Sequence, residues 1–217
     1  LTVTDGKITD PKSVGYAHGE RVFVTAEKEK DGQYFYKWEV TSGSGTFENP
    51  DSENTTFIMG NENTVITARY KGESTVTVIN GTKSPDQETY APGTQVTITA
   101  SSAETGKYFD SWEMKSGTGS TLADAKMSTT TLTVGKEDTV VEAIYKSGPV
   151  LTVNRGSGSG TYAPGDQIKI QAKKGDNSET FLGWILESGS GTFANPSWES
   201  TTFTIGSEDT VITAQYY

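Results

Sequence analysis

Trp38, Trp112 and Trp184 hold one place in a pattern that the chain writes three times. Tyr16, Tyr90 and Tyr162 each stand 22 positions before their tryptophan, and Phe57, Leu132 and Phe203 each stand 13 before Tyr70, Tyr145 and Tyr216. This repeat constrains the fold more than any local motif. Each copy must bury its own apolar face or share one with its neighbour. A task needing one unique site suits such a chain poorly, whereas length, stiffness and multivalent contact are what copying supplies.

The copies run over 1–71, 72–146 and 147–217, each near the lower size limit for a stable domain. They open on short β-branched runs: Leu1 to Thr4, Thr75 to Val78 and Val150 to Val153. A turn follows, Tyr-Ala-Pro-Gly at Tyr90 and Tyr162, with His18 replacing the proline in the first copy. Pro presets φ there and Gly accepts a positive φ. Next come alternating strands, in which Val22, Val24 and Ala26 match Val96, Ile98, Ala100 and Ile168, Ile170, Ala172. Between them Phe23, Thr97 and Lys169 share no character, as expected of a strand with one buried and one wet face. Phe35 and Trp38, like Phe109 and Trp112 or Phe181 and Trp184, lie three apart, which calls for a bulge to bring both rings to one side. No segment carries apolar residues at helical spacing over ten positions. The reading is all-β, with five or six short strands per copy. Each copy has its own ring set, so Trp38, Trp112, Trp184, Tyr70, Tyr145 and Tyr216 are assigned to three separate cores.

Composition narrows the function. There is no cysteine, which removes disulfides, thiolate zinc sites and a cysteine nucleophile. The net charge of −10 opposes nucleic-acid binding, which needs a basic stripe. No apolar run is long enough for a membrane-spanning helix, and no membrane insertion is expected. Strand-like sequence begins at Leu1, without a signal peptide, so the chain reads as a fragment whose partners include neighbouring repeats of a longer parent. The links between copies are short: Tyr70 ends one unit and Val76 already lies in the next. If the units stack in line as compact domains, they form a rod of about 90 Å.

The ordered motifs resemble a known family. They are Tyr90 to Ala100, the aromatic-x-x-Trp of Phe109 to Trp112, Thr201 to Ile205, and Thr210 to Tyr216. Together they are similar to the divergent internalin-type B-repeat, a bacterial repeat domain, over the whole chain. The resemblance implies β-grasp-like or short-strand sandwich units in an elongated array. It also implies an extracellular, bacterial cell-surface setting, a role as spacer, stalk or adhesive segment, and no catalytic residues.

Individual candidates are mostly structural. His18 is the one histidine, in a turn, without partners for metal or triad chemistry. Gly156-Ser-Gly-Ser-Gly160 lacks the Lys-Ser/Thr and following helix of a phosphate loop, and reads as a flexible connection. The acidic hairpins at Asn61 to Asn63, Glu137-Asp138 and Glu208-Asp209, and the patch Glu48, Asp51, Glu53, offer too few ligands for calcium and read as solvated turns. No Lys, Asn and carboxylate trio repeats in frame to form an isopeptide bond. Trp198 has no counterpart and sits in a polar loop after Pro196, so it is a contact candidate, with Phe23 and Tyr34 as outward aromatics.

Three functions follow in order. The first is a non-catalytic spacer or stalk of a bacterial surface or secreted protein, extending to adhesion. The second is a module binding a host surface protein or glycan through exposed aromatics, gaining avidity from repetition. An enzyme comes last, since no nucleophile or acid/base pair is apparent. No cofactor or metal is called for.

Overall fold

The computed structural model describes residues 1–175 and 179–217. Among these there is no helix. Each unit is a sandwich of two small sheets. In unit 1 one sheet orders as Thr2–Thr4, Val65–Lys71, Gln33–Ser42 and Glu29–Lys30, and the other as Lys7–Ile8, Arg21–Thr25, Asn54–Met59 and Gly45–Phe47. Units 2 and 3 repeat the scheme. Every opening strand pairs parallel to its own closing strand: Val3 with Ile66, Val78 with Val141, Val153 with Ile212. The remaining ladders are antiparallel. The units have seven or eight strands where the sequence led us to expect five or six. The extra ones are two to four residues long, such as Lys7–Ile8, Gly45–Phe47 and Gly81–Ser84, too short for periodicity to register.

Three core clusters form, one per unit, with no shared residue. Trp38, Trp112 and Trp184 are buried, and each indole N–H donates to a loop carbonyl: Ser52 (3.1 Å), Met127 (3.1 Å) and Trp198 (3.0 Å). The buried apolar ring and satisfied N–H follow the rule for interior tryptophan. Removing one would cost about 3–5 kcal/mol, a large share of a small domain's stability. Tyr70, Tyr145 and Tyr216 are only half-buried. Their rings pack edge-on against Phe35, Phe109 and Phe181, while their hydroxyls donate outward to the carbonyls of Glu27, Ser101 and Lys173. They close the edge of the core because the phenol oxygen needs a partner at the surface.

The bulge between the paired aromatics is present in all three units. The ladder skips Tyr36, Asp110 and Leu182, so Phe35, Phe109 and Phe181 turn to the tryptophan side. The skipped residue has no partner in the ladder and presents itself outward. In unit 1 this irregularity positions the face that meets unit 2.

A second repeated device links the two sheets. Asp5, Asn80 and Arg155 take a positive φ, followed by Gly6, Gly81 and Gly156. A Cβ at these glycines would lie 2.4, 2.7 and 2.6 Å from the ring tips of Trp38, Trp112 and Trp184. The glycine-rich run of unit 3 is therefore no slack connection, as its sequence led us to expect. Gly156–Ser157 and Gly160–Thr161 are strands of opposite sheets, and Gly156 is glycine because the indole lies against it.

Candidate functional site

The surfaces that meet between units carry the most elaborate side-chain chemistry. Unit 2 has a turn, Gly135 to Asp138, just before its closing strand, and this turn sits on the bulge face of unit 1. Lys136 Nζ donates to the carbonyl oxygens of Tyr36 (3.1 Å) and Asp51 (2.8 Å), and stands 4.6 Å from the Phe35 ring centroid. Two carbonyl dipoles and a π face are a good seat for an ammonium. The Glu137 carboxylate accepts from Lys71 Nζ (2.7 Å) and from the Tyr36 hydroxyl. Lys71 also lies over the Tyr36 ring at 4.9 Å. The hydrogen bonds from Lys71 first and Tyr36 second hold the Glu137 carboxyl below its usual range, and Glu137 raises both partners. The Asp138 carboxyl is likewise lowered, chiefly by the Thr75 backbone N–H (2.9 Å). A groove of about 850 Å³ runs along this junction, lined by Lys37, Asp51, Pro92 and Ser116 among others. Glu137 is thus a bonded junction residue, a correction to its reading as a solvated turn. It acts across units, which in-frame comparison of the sequence does not reveal.

The junction between units 2 and 3 is built otherwise. Ser207 replaces Lys136, and the Ser207 and Glu208 N–H groups bond to Ser190 within unit 3. The bulge residue of unit 2, Asp110, pairs with Lys146 (2.9 Å) and Lys126 (3.6 Å) of its own unit. Lys146, then the Ser111 hydroxyl, hold its carboxyl low. Contact passes through backbone instead. The Gly148 N–H donates to Gly106 O (2.9 Å), and a Cβ on Gly106 would lie 3.1 Å from Thr161 O. Asp209 accepts the Val150 N–H at 2.8 Å, as Asp138 does for Thr75.

The chain matches the family described as Divergent InlB B-repeat domain three times, over residues 1–74, 73–149 and 150–217. It belongs to that family. No curated protein matches the chain.

Within these B-repeats the aromatic candidates do not converge. Phe23 is 62% exposed on the outer face of Arg21–Thr25, beside Thr9, Glu48, Asn49 and Asn54. Tyr34 is half-buried in the other sheet of unit 1, opposite Glu29 and Lys71. Trp198 is 63% exposed in unit 3. Its frame partners are Ser52 and Met127, since all three carbonyls cap the tryptophan indole of their unit. No row of aromatics repeats down the B-repeats. His18 lies exposed in its turn. Among the described residues, no three His, Cys, Asp or Glu side chains come together to hold a metal ion. Sequence reasoning missed Lys136 and Asp110, and read Glu137 only as part of a solvated turn. A lysine in one copy only, opposite backbone carbonyls of another, leaves no signal in a single chain.

Proposed function

We propose that this B-repeat chain is a non-catalytic spacer segment of a bacterial surface or secreted protein, whose stiffness is set junction by junction. The family supports a surface or secreted setting and a role without catalysis. The observation that carries the spacer reading is the Lys136 and Glu137 turn, which ties unit 2 to unit 1 across a short link through charge-assisted bonds. Such bonds are stronger than neutral ones and are directional, so they restrict bending. The chain has no cysteine, which makes the test clean. Spin labels at Glu62→Cys and Glu187→Cys, both exposed sites, report the distance across the three units. A narrow distance distribution is expected. A broad one, like that of freely jointed domains, overturns the reading.

A second reading, contact with a host surface protein or glycan, is favoured by Phe23. An exposed ring bordered by Thr9, Asn49 and Asn54 has the chemistry of a sugar-stacking subsite. Glycan-array binding that Phe23→Thr abolishes would support it, and threonine stands at this place in unit 2 as Thr97.

A further inference from the structure

The bulge face that unit 1 uses to hold unit 2 exists in every unit, with different chemistry each time. In unit 1 it consists of Tyr36, Lys71 and the Asp51 carbonyl above Phe35, and it is filled by Lys136. In unit 2 the same places hold Asp110, Lys146 and Lys126, where one carboxylate draws two lysines and leaves the face net positive. In unit 3 they hold Leu182, Tyr217 and Ser197 above Phe181, and Trp198 follows Ser197 in the same loop. Leu182 and Trp198 are 55% and 63% exposed. The backbone of the seat is retained. Leu182 is skipped by the ladder as Tyr36 is, and the Ser197 loop is closed by the same Asn195 bonds that Asn49 makes around Asp51. No lysine among the described residues occupies it.

We infer that the outer face of unit 3 is a docking surface for the turn of a further B-repeat carrying lysine where unit 2 carries Lys136. The ammonium would meet the Leu182 and Ser197 carbonyls and the Phe181 ring. The lysine stem would lie along Leu182 and Tyr217, since long cationic side chains bury their methylenes against apolar surface. Unit 3 has no cation at the place of Lys71, so the incoming turn needs its lysine more than an acidic neighbour. The argument is continuity with the unit 1 junction: same seat, same frame, and an uncovered apolar rim. This rests on the spacer reading only in taking B-repeats to stack. Its observable, cover over Trp198, is independent of the stiffness of units 1 and 2.

The test joins a second copy of residues 72–146 directly after Tyr217, reproducing the link that follows Lys71. Unit 2 has its own core cluster, so the added copy carries what it needs to fold. Trp38, Trp112 and Trp184 are 2–4% exposed, so acrylamide quenching of fluorescence reports Trp198 almost alone. Expected is loss of most of that quenching in the extended chain, restored by Lys136→Ser in the added copy. Serine is what unit 3 carries there, so this variant folds. Unchanged quenching on extension overturns the inference. So does quenching lost on extension but indifferent to Lys136→Ser. Protection that appears in the 217-residue chain alone as its concentration rises also overturns it, since a second copy of the chain would then be the occupant.

Discussion

The two junctions of this chain solve one problem in opposite ways. Both links run five positions from the closing tyrosine to the next opening strand, Tyr70 to Thr75 and Tyr145 to Val150. At the first, side chains do the joining. Lys136 and Glu137 reach onto the bulge face of unit 1, while within unit 2 Ser74 and Tyr90 exchange two backbone bonds that fix the end of the link. At the second, Pro149 stands where Ser74 stood and has no N–H, so only the bond from Tyr162 N to Pro149 O remains. Unit 3 instead lies against the Gly106 turn, through Gly148 and Thr161. Copies of one fold are therefore not joined by copies of one interface. The sandwich is set by residues the repeats share, and the lean of one unit on the next by residues they do not.

The sharpest way to break the contrast is Gly148→Glu. Gly148 occupies the place of Glu73, and a Cβ on it would lie 1.7 Å from Tyr162 O, a backbone atom that cannot swing aside. The side chain that the first junction carries as Glu73 is one the second has no room for. Overpacking of this kind costs about 1–3 kcal/mol. A changed distance between labels in units 2 and 3 is expected, with the 1–2 distance unchanged. The reciprocal Glu73→Gly should leave both distances as they were. If Gly148→Glu moves nothing, the second junction does not depend on how Gly148 is seated between Tyr162 and Gly106.

Next in size is Lys136→Ala. It removes two charge-assisted bonds and a cation–π contact, for a cost of about 1–3 kcal/mol at a half-buried site. The 1–2 distance distribution should broaden while that of 2–3 holds. Equal broadening at both junctions would mean that Lys136 steadies the array in a way these contacts do not explain.

Much of the sandwich was legible in the sequence because its rings recur at fixed spacing. Trp38, Trp112 and Trp184, the alternating valines and isoleucines and the bulge between Phe35 and Trp38 all follow from periodicity and ring chemistry. Gly6, Gly81 and Gly156 were not legible. They recur every 75 residues, but loops of different length separate them from the tryptophans they underlie, so alignment on tryptophan hides them. The junction surface was hidden for another reason. The partners of Lys136 are carbonyl oxygens, which any residue supplies, and the lysine itself occurs in one copy. Trp198 was singled out from its loop, but not as the residue whose carbonyl caps the Trp184 indole, which only the fold brings beneath it.

Acid should loosen the first junction before the second. The folded Glu137 carboxyl is lowered by Lys71 and Tyr36, so its contribution is complete above the ordinary carboxylate range and is lost as pH falls through the depressed folded value. Asp138 follows the same sign through the Thr75 N–H, but that bond lies within unit 2 and bears on the fold of the unit, not on the junction. The backbone contacts of Gly148 and Gly106 do not titrate. Between neutral pH and the lower end of the carboxylate range, label distances across units 1 and 2 should broaden, and those across units 2 and 3 should change less. High salt should act in the same direction on the exposed Lys71–Glu137 pair. A junction indifferent to both would place its strength in Lys136 alone.

The smallest effect expected is from Ser207→Lys, and it separates cause from accompaniment. If lysine in the turn were enough to draw a unit onto its neighbour's bulge face, this variant would convert the second junction into the first. Two features argue that it does not. The seat in unit 2 is flanked by Lys126 and Lys146, both drawn to Asp110, so an incoming ammonium meets two cations where Lys136 meets Lys71 alone beside its own Glu137 partner. The Gly148 and Gly106 approach also holds unit 3 against the Gly106 turn. The 2–3 distance should therefore be unchanged by Ser207→Lys alone, and should shift toward the 1–2 value only when Gly148→Glu is added. A full shift with the single substitution would make the turn residue the sole determinant of lean, and the backbone contact merely what forms when that lysine is missing.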